Sequence, residues 1–116
     1  MTITRLQPGK RMSQAVNHNN TVYLAGQVAN DPNGTIEQQT KEVLAAIDKL
    51  LAEAGTSKSK VLSCQVILNN IGDFAAMNSV YDAWIDPANP PARACIEARL
   101  AAPALKVEII AIAALD

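Results

Sequence analysis

The sequence predicts an α+β fold, a β-sheet with two helices packed on one face. Three observations carry that prediction. Two segments repeat apolar residues at helical spacing, several others are rich in β-formers, and together they run ββ–α–β–α–ββ. A chain of 116 residues, 49% hydrophobic and with a net charge of −1, makes one globular domain, residues 1–116.

At the front, Ile3 to Leu6 and Gln14 to Val16 have strand character. Thr21 to Ala29, TVYLAGQVA, follows a polar NHNN turn and reads as one strand. Asn33-Gly34 signals a turn. Thr35 then offers a capping oxygen, with Gln38 three residues on, the pattern of a capping box. Ile36, Val43, Leu44, Ile47, Leu50, Leu51 and Ala54 recur at helical spacing, and Gly55 supplies the stop. Val61 to Leu68 returns to β character. Asp73 can cap a second helix, in which Phe74, Met77, Tyr81 and Trp84 share one face, with Phe74, Met77 and Trp84 reading as core. Pro87, Pro90 and Pro91 end it. Two strands follow, Ala92 to Leu100 and Lys106 to Ala114, joined by a short loop containing Pro103 as a hairpin.

The last strand, VEIIAIAAL, is apolar on both faces apart from Glu108. A strand has this composition when both sides of its sheet are covered. Two helices cover one side, so the other is expected to meet a second copy of the chain. No apolar run is long enough for a transmembrane helix, and Met1 to Lys10 lacks the layout of a signal peptide. Cys64 and Cys95 stand far apart without CxxC spacing, so no zinc site or disulfide framework is indicated and a cytoplasmic setting is expected. Lys and Arg are scattered, with Lys58 and Lys60 the nearest to a cluster, so neither nucleic acid nor membrane is the expected partner.

Arg93 stands in PPARACIEARL, at the start of a strand of small residues. A semi-buried guanidinium fork there suits a bidentate grip on a carboxylate. The alternative is an exposed arginine at a strand end. Glu108 is the sole charge between Val107 and Leu115. A carboxylate among apolar residues is costly unless paired or functional, and it suits proton transfer. Its alternative is a strand-end glutamate reaching water. If Ala101 to Leu105 is the hairpin loop, Glu108 pairs near Ala98, roughly 17 Å along the strand from Arg93. One subunit then struggles to bring both to one small substrate, and a site between subunits solves this. Cys95 shares a strand face with Arg93, yet no base stands near it, since His18, the single histidine, lies in a polar turn and reads as solvated. Asn78, one helical turn after Phe74, sits at the surface or at the pocket rim. No metal cluster or phosphate-cradling glycine loop is visible.

PARAC, the terminal VEIIAIA, YLAGQV and DFAAMNSVYDAW together resemble the Rid family (also called YjgF), the reactive-intermediate deaminases, in matching order from about residue 10 onward. The resemblance implies a chorismate-mutase-like fold with a mixed sheet, and a homotrimer with sheets facing inward and pockets between subunits. It also implies cofactor-free hydrolysis of reactive 2-imino acids to 2-keto acids and ammonia. By the same resemblance Arg93 anchors the substrate carboxylate, Glu108 activates water, and Cys95, Phe74 and Asn78 line the pocket. Two pocket positions depart: Met12 replaces a tyrosine of many members, and Ala25 a serine. Both changes bear on substrate identity and rate. The rival readings are a non-catalytic trimer that binds a small carboxylate, favoured by Met12 and Ala25, and an endoribonuclease or translation inhibitor. The scattered basic residues, the single histidine and the low aromatic content of 3% weigh against the latter.

Overall fold

In a computed structural model of the chain, which describes residues 2–116, the NHNN turn is a tight hairpin. Asn19 and Asn20 take positive φ of 52° and 61°, as a two-residue turn between twisted strands demands. They join β2 (Ala15–His18) to β3 (Thr21–Leu24), and β1 (Thr4–Leu6) pairs antiparallel with β2. The expected single strand over 21–29 is broken. β4 is only Gln27–Val28, and Ala25 turns its N–H to the Gln14 carbonyl instead. Both pieces pair with β7 (Val107–Ala114), Tyr23 opposite Ile112 and Gln27 opposite Ile109. Four steps on one side therefore match three on the other, a one-residue bulge at Ala25–Gly26.

α1 runs Ile36–Ala54 as the sequence predicts. The Thr35 side chain accepts from the Gln38 N–H while Gln38 accepts from that of Thr35, and Gly55 closes the helix at φ 96°. Its buried stripe, Val43, Leu44, Ile47, Leu50 and Leu51, packs on the sheet. Gln39 is buried among these and knits the helix to the segment entering β7. Its amide donates to the Ala104 and Gly34 carbonyls and accepts from the Lys106 N–H.

β5 spans Val61–Leu68 and α2 Phe74–Trp84. The expected cap on α2 is displaced. Asp73 stands at the N-cap position without a capping bond, and Asn70 caps the preceding 3₁₀ turn at the Gly72 N–H. The expected core face of α2 is also revised. Met77 and Tyr81 are buried, Trp84 is partly buried and donates to Asp48, and Phe74 is 42% exposed.

The largest departure is at the C-terminus. β6 ends at Glu97 rather than Leu100, and it does not form a hairpin with β7. β5 lies between them, parallel to β6 and antiparallel to β7, giving the order β1-β2-β3-β7-β5-β6. The sheet is mixed, and the buried residues of β3, β5 and β7 all face the two helices. The opposite face carries Tyr23, Ile67, Ile96, Ile110 and Ile112, with Tyr23 and Ile96 almost half exposed in the single chain. No helix among the described residues is long and apolar enough to cross a membrane.

Candidate active site

Arg93 lies on the edge strand β6 opposite Cys64, which is buried beneath the helices, so its side chain rises on the helix face. There α2 meets it with Phe74, Asn78 and Tyr81, which the i, i+4, i+7 spacing places on one side of the helix. Arg93 Nη1 donates to Asn78 Oδ1 at 2.7 Å. Its Cζ stands 4.7 Å from the Tyr81 ring centroid and 5.8 Å from that of Phe74. The rings hold the guanidinium by cation–π attraction, and the amide oxygen fixes its rotation. Arg93 has more donors than these contacts use, which suits a forked grip on a carboxylate.

Cys95 follows two residues along the same face. Burial raises its thiol pKa above the ordinary value, and the Arg93 charge reverses this only in part. Burial pushes the Cys64 thiol up to about 11, against smaller lowering effects from the Tyr81 hydroxyl and Arg93. Burial likewise pushes the Tyr81 phenol up to about 12, with Cys64 adding to the rise. All three groups are protonated near neutrality, so neither thiol is a standing nucleophile.

Glu108 is elsewhere. It pairs with Ile67 on β5 and Val28 on β4, between the buried Val107 and Ile109, so it points to the open face. The expected pairing near Ala98 is wrong because β5 intervenes; Ala98 instead donates its N–H to Leu68. Arg93 and Glu108 are nevertheless separated. They lie three residues apart along β5, on the order of 10 Å, and two strand spacings apart across it, about 10 Å more. They also project from opposite faces.

Ala25 is half-buried in the bulge, and Met12 is 49% exposed on the segment leading into β2. His18 is not in the turn but at the end of β2, half-buried, with Nδ1 shielded and unpartnered. One groove, of about 370 Å³, runs along the exposed face of the sheet between Ser63, Gln65, Ala94 and Ile110, and Arg93 and Cys64 also contribute to its lining.

The structure thus gathers Arg93, Asn78, Phe74 and Cys95 on the helix side of one sheet edge and leaves Glu108 on the far side. Sequence reasoning gave Tyr81 no place beside Arg93 and did not foresee the bulge at Gly26. The 74/78/81 spacing was there to be read, but an aromatic among apolar residues reads as core. A glycine inside a β pattern is itself the signal of a bulge or close approach.

The model of the family described as Endoribonuclease L-PSP matches residues 2–115. A RutC family protein of Haemophilus influenzae is 50% identical over 97% of this chain and 98% of its own. The crystal structure of NMB1025 from Neisseria meningitidis, a member of the YjgF protein family, superposes with a TM-score of 0.97. It is 43% identical over all of this chain and 97% of that one. The chain belongs to the Rid/YjgF family. A further Rid relative, YyfA of Yersinia pestis, is 31% identical with a TM-score of 0.85, covering 92% of this chain and 90% of that one. The RutC family protein YoaB of Escherichia coli is 40% identical over 98% of this chain and 99% of its own.

Proposed function

We propose that the protein hydrolyses reactive 2-imino acids to 2-keto acids and ammonia, in the cytoplasm and without a cofactor, at sites shared between the copies of a homotrimer. The observation that carries this reading is the Arg93 guanidinium, locked by Asn78 at 2.7 Å and backed by two aromatic rings. It is a prepared anchor for a small carboxylate, with apolar Phe74 beside it. Arg93 fixes the carboxylate and so places the neighbouring C=N carbon. Glu108 takes a proton from water as the oxygen adds to that carbon and passes it to nitrogen, giving the carbinolamine; it then takes the carbinolamine hydroxyl proton and delivers it to nitrogen as the C–N bond breaks, leaving the keto acid and ammonia.

The opposed faces of Arg93 and Glu108 support a site completed by Glu108 of the partner subunit. The open apolar face, with Tyr23, Ile110 and Ile112, supplies a surface for that association. The test generates imino acids with an amino-acid oxidase and measures ammonia release with and without the protein. Acceleration well above the spontaneous rate supports the reading, and an unchanged rate contradicts it.

A second reading, a trimer that binds a small carboxylate without turning it over, is favoured by the apolar residues at Met12 and Ala25. It predicts saturable binding of a 2-keto acid with no acceleration. The family model's description names an endoribonuclease, so RNA incubated under the same conditions is the control.

A further inference from the structure

Gly26 sits inside a β pattern where glycine is unfavourable, and its backbone does not require one. Its φ lies outside the left-handed region; among the described glycines only Gly55 is there. An ordinary residue therefore fits the local backbone. What it does not fit is the side chain across the bulge. A β-carbon at position 26 would overlap Glu108 Oε2 and come within 2.9 Å of Cδ and 3.2 Å of Cγ. Those are its three nearest neighbours, and all belong to Glu108.

We infer that Gly26 is a positioning residue: its missing side chain is the seat of the Glu108 carboxylate, and the Ala25–Gly26 bulge delivers that seat. Bulges re-aim groups beside active sites in this way. The inference deepens the proposed hydrolysis and rests on it for its catalytic consequence, but the seat itself is a matter of packing. The atoms in the way are the free end of a flexible side chain. Gly26→Ala therefore folds, and the carboxylate moves rather than the strand. Misplacing a reacting group by about 1 Å costs roughly 100-fold in rate. The Arg93 cluster lies on the other face and is untouched.

Two measurements test this. Crystal structures of the wild type and Gly26→Ala should superpose in β3, β4 and β7 while the Glu108 carboxylate leaves its seat. A carboxylate that stays put, with the backbone displaced instead, overturns the inference whether or not the protein is a deaminase. In imine hydrolysis, Gly26→Ala should lower kcat roughly 100-fold with KM unchanged. Glu108→Asp withdraws the carboxylate by one methylene. In that background the same alanine should change kcat by less than about threefold, as coupled neighbours require. Equal losses in both backgrounds would place the effect in the backbone and refute the seat. A wild type that hydrolyses no imine removes the proposed reaction, and the crystallographic comparison alone then decides the role of Gly26.

Discussion

Arg93 holds its position through three neighbours that divide the work: Asn78 sets the rotation of the fork, and Tyr81 and Phe74 offer it ring faces. Arg93→Ala is expected to leave the fold intact and to weaken capture of a 2-keto acid by about 2–5 kcal/mol, the cost of losing a desolvated charged contact. Arg93→Lys should be nearly as poor, because an ammonium cannot reproduce the fork. Calorimetric titration measures both, and wild-type affinity in the alanine variant would place the carboxylate elsewhere. Beneath this group, Cys64 makes a pH prediction. Its thiol is raised from 9.0 to about 11 in the folded chain. The unfolded chain therefore loses that proton first as pH rises. The stability the thiol contributes is complete below about pH 9 and declines between about pH 9 and 11. Thermal unfolding across that window should fall more steeply for the wild type than for Cys64→Ala. Parallel profiles would contradict the assigned burial.

Among the elements, α1 depends on one polar residue that hydropathy gives no reason to notice. Gln39 is fully buried and satisfies the Lys106 N–H and the Ala104 carbonyl. Gln39→Leu conserves much of the volume but strands those groups, at roughly 1–3 kcal/mol each. Denaturant unfolding should record a loss of that size, and a neutral result would mean that the loop finds other partners. The helix itself was legible from the sequence to the residue, since its capping box, apolar stripe and terminal glycine are all local signals. So were the bounds of β5 and the body of β7. The pairing of β6 was not. A short loop between two strands suggests a hairpin, whereas the observed order inserts β5, and strand composition does not name the neighbour. The break at Ala25–Gly26 was hidden for a related reason. The side chain that position 26 leaves room for, Glu108, lies more than eighty residues away along the chain.

For the whole molecule, the candidate site was legible in its ends and not in its route. Arg93 stood out against small residues and Glu108 against apolar ones, and the structure gives each a distinct setting. The inferred separation along a hairpin was replaced by a separation across three strands and onto opposite faces. That geometry makes a shared site, in which one substrate needs Arg93 from one chain and Glu108 from another, testable directly. Arg93→Ala and Glu108→Gln subunits, each expected to be inactive alone, are unfolded together, refolded and assayed for imine hydrolysis, with light scattering to establish that mixed trimers form. Activity is expected to reappear, because some interfaces in a mixed trimer keep both residues native. A mixture that forms trimers and stays inactive would contradict the shared site, since every site would then carry a lesion within its own chain.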